Sequence, residues 1–344
     1  MDLLVEILVT LLVLSVLVIG HEFGHYTAGR LLGFDILEFA VGMGPRLCGF
    51  KKNGIDYDLR LFPIGGMCRF AGEDETPTGS GSFRAKPAWQ RAIVVFAGPF
   101  MNFVLAFLIG IILYMGWGTY DTGRVLVQEV NENSPAAFSG VLPGDELLSV
   151  DGVKIDSFEA LRAGLDDASP DSIALRVLRD GREEELILSD AYDETEQKIM
   201  LGVTITYPIV KDGFFAAVGH SLSYCWEMGT IVFKSLGMLF TGEARLNDMS
   251  GVVGVTRIVG EAVSYGWESV LSLTVMLSMN LGIMNLLPIP ALDGGRLLFI
   301  LVELVRRKPV PAEKEGLVHL IGLVLLMALM IYLVIHDITV WVGA

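Results

Sequence analysis

Cysteine is scarce in this chain of 344 residues: there are three, Cys48, Cys68 and Cys225, an odd number with no CxxC spacing. That argues against a disulfide framework and against a cysteine-type zinc site. Positive charge is scarce as well. Against 40 Asp and Glu there are 25 Lys and Arg, leaving a formal net charge of −15, so nothing offsets phosphate repulsion and no nucleic-acid partner is expected. The first apolar run also lacks what a cleaved leader needs. Asp2 and Glu6 stand where a basic segment belongs and no A-x-A site follows, so the run reads as a retained span.

What is abundant is apolar: 52% of residues, with a mean hydropathy of +0.56. Residues 3–20, 92–117, 269–292 and 317–335 form four runs long enough to cross a bilayer, which takes about 20 helical residues. Residues 119–212 hold 8 basic and 20 acidic residues, and short β-rich runs such as 173–178 and 185–188 alternate there with turns at Pro143-Gly144-Asp145, Asp151-Gly152 and Asp180-Gly181. This block predicts a small β-rich domain inserted between spans. The segments 30–91, with 9 basic and 7 acidic residues, and 294–316, with 5 and 3, are both net positive. The positive-inside tendency puts these two loops in the cytosol, and the acidic domain and both chain ends outside.

Residues 214–240 repeat polar side chains at His220, Ser223, Glu227, Thr230 and Lys234. One polar stripe of this kind predicts an amphipathic helix lying in the interface, not a fifth crossing.

At the inner end of the first span stands His21-Glu22-Phe23-Gly24-His25. Positions i and i+4 share a helix face, so both imidazoles can bind one ion while Glu22 reaches a water beside it. Ionisable groups beside a lipid-facing run are costly and usually functional, although an interfacial cluster snorkelling to water is the plain alternative. A catalytic zinc needs a third ligand, and the best remaining carboxylate is Asp293, at the end of Asn285-Leu286-Leu287-Pro288-Ile289-Pro290-Ala291-Leu292-Asp293-Gly294-Gly295-Arg296. Asp293 could equally cap the following helix. Four crossings bring His21 and Asp293 to the same membrane face and five would not, so the metal hypothesis and the amphipathic stripe select one topology. His220, His319 and His336 are weaker candidates.

These features together resemble the site-2 protease family of intramembrane zinc proteases, in particular its bacterial RseP-type regulators. The likeness extends to Val41-Gly42-Met43-Gly44-Pro45 and Phe62-Pro63-Ile64-Gly65-Gly66, similar to the family's membrane-associated β-hairpin, and to Ala97-Gly98-Pro99-Phe100-Met101-Asn102. Ser134-Pro135-Ala136-Ala137, Leu142-Pro143-Gly144-Asp145-Glu146-Leu147 and Val150-Asp151-Gly152 resemble a single PDZ domain. One departure is Val252 in Met249-Ser250-Gly251-Val252-Val253-Gly254, where relatives usually carry proline.

The resemblance implies a polytopic α-helical membrane protein with four transmembrane helices, a membrane-associated β-hairpin and an inserted extracytoplasmic PDZ-like β-rich domain. Its parts are a first catalytic half over 1–118, the PDZ-like domain over 119–210, an amphipathic interfacial helix and loop over 211–268, and a second catalytic half over 269–344. Zn²⁺ on His21, His25 and Asp293, with Glu22 as base, is implied to cleave single-span membrane proteins in the plasma membrane, towards the cytosolic side of the bilayer. There is room for an upstream site-1 protease acting on the same substrates. Asn285, Asn280, Asn102, Gly65 and Gly66 are implied substrate contacts, and interhelical hydrogen bonding is the alternative for the three asparagines. A catalytically idle PDZ-bearing scaffold and a metal or proton transporter are the rival readings.

Overall fold

The computed structural model describes residues 3–73, 79–169, 172–189, 191–193, 198–243 and 251–343. The chain forms two compact units, one of Met1–Leu113 with Phe214–Ala344 and one of Tyr114–Gly213.

The first unit begins with α1, Leu3–Leu31, which runs unbroken through His21-Glu22-Phe23-Gly24-His25. At 1.5 Å per residue, His21 lies about 27 Å along its axis, near the far boundary of a ~30 Å apolar layer. Strands β1, Ile36–Lys52, and β2, Ile55–Phe70, follow, joined at Asn53 and Gly54, both at positive φ. An Asn-Gly pair of that kind is a strong two-residue hairpin signal. The two strands form the antiparallel hairpin expected, and part of β1 pairs with β2 twice. Glu38, Phe39, Ala40 and Val41 pair with Arg69, Cys68, Met67 and Gly66, and also with Asp56, Tyr57, Asp58 and Leu59. Each long strand therefore bends back on its partner, giving a sheet broader than two strands. Its base is an aromatic cluster in which Phe34, Phe70 and Phe83 pack with ring centroids 5.6–5.7 Å apart, against Val94, Val95 and Ile300. Helix α2, Ala88–Trp117, carries Pro99 within it.

The second unit is built on a sheet whose strands lie in the order β11-β4-β5-β7-β8, with β6 pairing β5. In chain order its elements are β3, Thr119–Tyr120; β4, Val125–Val130; helix α3, Pro135–Phe138; β5, Glu146–Val150; and β6, Val153–Lys154. Then come helix α4, Phe158–Asp166; β7, Ile173–Arg179; β8, Arg182–Leu188; β9, Tyr192–Asp193; β10, Lys198–Ile199; β11, Val203–Thr206; and β12, Ile209–Val210. Alternate residues of the strands, such as Val125 and Val127 or Ile173, Leu175 and Val177, fill the core with Leu147, Val150 and Leu161. Ser134 and Ser157 cap α3 and α4, accepting from the Ala137 and Ala160 amides.

The chain then returns to the first unit as α5, Phe214–Thr241; α6, Val252–Tyr265; α7, Trp267–Leu286; α8, Asp293–Arg306; and α9, Ala312–Gly343. Among the described residues four helices are long and apolar enough to cross a membrane: α1, α2, α7 and, in α9, Ala312–Thr339.

Three features of this unit go beyond the sequence pattern. Helix α5 packs on α2 and α7. The Ser221 hydroxyl donates to the Phe107 carbonyl of α2 (2.8 Å), the Tyr224 and Ser272 hydroxyls are 2.5 Å apart, and Gly229 faces Met279 of α7. The reason is its inner face: Ala217, Ser221, Cys225, Met228 and Val232 recur at three- and four-residue spacing, all buried, while Ser223, Glu227 and Lys234 are exposed. Second, the stretch before α7 is not all loop, because α6 packs Val259 and Ala262 against Val9, Val13 and Leu17 of α1. Met249 and Ser250 lie outside the described residues. Gly251 precedes the helix, the Asp337 carboxylate accepts from the Gly254 amide (2.9 Å), and Val252 is the first helical residue. That is a position where proline is tolerated because its N–H has no partner within the helix, so valine and proline serve alike. Third, α7 ends at Leu286, short of the span expected to reach residue 292. The segment expected to be an inner loop holds α8 instead.

Candidate metal centre

The centre is built where α1 and α2 almost touch. A β-carbon at Gly24 would lie 2.1 Å from the Ala97 carbonyl oxygen, so only glycine lets the two backbones approach. Pro99 removes one backbone donor from α2 and loosens the turn before it. In that turn the Val94 carbonyl accepts from His25 Nδ1–H at 2.8 Å. Since a carbonyl can only accept, this bond leaves Nε2 of the neutral His25 ring without a hydrogen, its lone pair facing inward.

The third donor arrives on a different element. Pro288 and Pro290 follow α7, Ala291 takes φ 75°, and Asp293 opens α8. The residue flanking this helix is Leu292, with no side-chain cap, so Asp293 is not spent on capping. Its Oδ2 lies 3.0 Å from His21 Nε2 and 3.4 Å from His25 Nε2, and the two Nε2 atoms are 3.2 Å apart. Among the described residues these three side chains form the only cluster of three or more that could hold a metal ion.

This geometry fits zinc. Ligand atoms about 2.0–2.1 Å from a tetrahedral ion stand about 3.3 Å from one another, close to all three separations. A carboxylate oxygen and an imidazole lone pair aimed at one point repel unless a cation lies between them, and Asp293 Oδ2 is buried with no hydrogen-bond donor. Gly98 leaves the necessary room. A β-carbon there would sit 2.3 Å from His25 Nε2 and 2.9 Å from His21 Nε2.

Glu22 faces the sheet. Gly66 backs directly onto it, where a β-carbon would lie 2.8 Å from Glu22 Cγ. Gly65, at φ 84°, packs on Met43. Asn102 is fully buried with its side-chain amide 3.1 Å from His21 Nδ1. Asn285 is half-buried in the last turn of α7, while Asn280 is exposed on the same helix. His220 and His336 do not join the cluster. His319 Nδ1 accepts from the Ala291 amide (2.9 Å), fixing the loop that ends in Asp293. Neither Gly98 nor His319 is distinguished by a spacing pattern, since each acts through a residue far away in sequence.

Comparison with known proteins decides the family, because the profile of peptidase family M50 matches residues 9–329. The chain belongs to peptidase family M50. Similarity spans nearly the whole of its relatives. A Clostridium perfringens protein is 36% identical over 96% of this chain and 98% of its own length. The zinc metalloprotease RasP of Shouchella clausii is 31% identical over 95% and 97%. The regulator of sigma-W protease RasP of Bacillus subtilis is 28% identical over 95% and 97%. The resemblance to site-2 proteases drawn from the motifs is met by this M50 membership.

Proposed function

We propose that this M50 chain is an intramembrane zinc endopeptidase that cleaves transmembrane segments of single-span proteins already shortened outside the membrane. One observation carries the reading: two imidazole nitrogens and one carboxylate oxygen converge at 3.0–3.4 Å at the far end of an apolar helix, with Glu22 adjacent in sequence. His21, His25 and Asp293 hold the ion. Zinc, when bound, acts as a Lewis acid on water and on the peptide carbonyl. Glu22 removes the proton from the attacking water and returns it to the leaving amine. The missing side chain of Gly66 leaves room for Glu22 against the sheet.

A helical substrate keeps its carbonyls in internal bonds and must unwind before attack. The bent sheet formed by β1 and β2 offers the opened segment backbone partners by strand addition, with Gly65 and Gly66 at its inner edge and Asn285 and Asn280 as further contacts. The second unit is a PDZ-like module. Support comes from Ser134-Pro135-Ala136-Ala137 forming the short helix between β4 and β5, and from α4 following β6. The Lys and Arg of segments 30–91 and 294–316 favour a cytosolic position for those two segments, which puts the metal centre towards the cytosolic side and residues 119–210 outside. The Bacillus subtilis relative is named as a regulator of sigma-W, and a regulatory role is proposed for this chain as well.

The test is a detergent-purified preparation incubated with a short single-span reporter. Glu22→Gln is expected to abolish cleavage while zinc stays bound. Cleavage persisting in that variant would remove the assigned base.

A further inference from the structure

We infer that Asn102 is a positioning residue for the metal ligand His21, and that it holds the amide oxygen, not the amide nitrogen, towards the imidazole. The inference rests on the zinc-site reading above and deepens it.

Proton positions on the two imidazoles fix which amide atom Asn102 must present. His25 Nδ1–H is spent on the Val94 carbonyl, so His25 Nε2 is a lone pair. His21 Nε2 faces that lone pair at 3.2 Å and the Asp293 carboxylate at 3.0 Å. For an ion to sit among the three, His21 Nε2 must also be a lone pair, which places the hydrogen of this neutral ring on Nδ1. That hydrogen needs an acceptor. The side-chain group beside it is the Asn102 amide, 3.1 Å away. Amide oxygen and nitrogen are distinguished only by their hydrogen bonds. With the nitrogen towards His21, two donors oppose each other at 3.1 Å. Turning the amide by half a rotation puts Oδ1 on the imidazole N–H. The ring is then fixed in the tautomer that binds metal.

The backbone is built to hold this group. Ser278 of α7, fully buried, donates its hydroxyl to the Asn102 carbonyl at 2.7 Å. Asn102 thus sits where α1, α2 and α7 meet, and α7 is the helix that leads to Asp293. The two histidines are oriented by different devices, His25 by a main-chain carbonyl and His21 by a side chain. Only the second can be removed by substitution. A residue so buried and so engaged is withdrawn from the substrate contact that motif resemblance implies for it.

The experiment measures zinc affinity by chelator competition on the full detergent-purified chain, unmodified and as Asn102→Leu and Asn102→Asp. The leucine keeps the volume and removes the acceptor, and zinc is expected to bind about 10- to 100-fold more weakly. The aspartate keeps an acceptor oxygen and is expected to restore binding to within about threefold of the unmodified chain. At saturating zinc the KM for a single-span reporter should be unchanged in Asn102→Leu. Asn102→Ala serves the same comparison should the leucine fail to pack. Unaltered zinc affinity with a raised KM in Asn102→Leu would overturn the inference in favour of substrate contact. Equal loss of zinc in the leucine and aspartate variants would overturn it in favour of packing. If the unmodified chain binds no zinc, the functional reading falls as well. If zinc is bound normally and lost in Asp293→Ala, only the role of Asn102 is at stake.

Discussion

The two units of this protein place their polar groups by opposite rules. Residues 119–212 carry 20 acidic side chains, and many of the ion pairs there are long and exposed. Arg176, about half exposed, lies 4.0 Å from Glu183 and 3.9 Å from Glu185. Such pairs contribute little in water. Inside the apolar helices of the other unit polar groups are few, but His21 is 9% exposed, and Asn102 and Ser278 not at all, and each is answered by a specific partner. An abundance of charge therefore marks where water is. Rare polar groups inside apolar helices, where each unsatisfied one costs several kcal/mol, mark where the chemistry is.

That contrast can be attacked from its strong side first. Gly98→Ala puts a methyl carbon 2.3 Å from His25 Nε2, so one added carbon in the helical unit should lower kcat/KM for a single-span reporter at least about 100-fold. Zinc content and cleavage assays on the same preparation check it, and near-normal activity would mean the space is not used as assigned. In the acidic unit the largest effect belongs to the most deeply buried carboxylate among the described residues. Asp145 is 1% exposed and accepts from Arg179 Nη2 (2.6 Å), Arg179 Nε (2.7 Å) and the Leu142 amide (2.9 Å). Asp145→Ala is expected to cost about 2 kcal/mol in that unit. Hydrogen exchange across residues 119–210 should report it, with zinc binding unchanged. Loss of zinc in the same variant would show that the two units are not energetically separate. Removing the Ser157 cap of α4 as Ser157→Ala should cost about 1 kcal/mol by the same measurement. Arg176→Ala should fall within about 0.5 kcal/mol of the unmodified chain, the expectation for an exposed pair.

The legible part of this molecule was what lies in one stretch of chain. His21 and His25 are four apart on one helix, and the alternation in residues 173–178 is that of a half-buried strand, so both are visible in order and composition. Helix α6 was not, because Val252-Val253-Gly254-Val255-Thr256 is a poor helix former, and its conformation comes from packing on α1 and from Asp337, 83 residues later. The polar stripe of α5 was read correctly as a stripe, but its buried small-residue face decides what it packs against. The bend in β1 and β2 escaped because pairing with two partner segments leaves no extra signal in the alternation. Gly24, Gly98 and Gly66 stand within the motifs, but a motif does not say what faces them. Their use depends on Ala97, on His21 and His25, and on Glu22, which face them across the fold. Asn102 stood in a motif, yet its partner is 81 residues away.

The central claim is that His21, His25 and Asp293 hold one zinc ion through two nitrogens and one oxygen. X-ray absorption at the zinc edge of the purified chain tests it most directly. The account predicts a shell of nitrogen and oxygen at about 2.0–2.1 Å with the outer scattering of two imidazoles, and loss of bound zinc in Asp293→Ala. A sulfur shell near 2.3 Å, or an unchanged spectrum in Asp293→Ala, would contradict it.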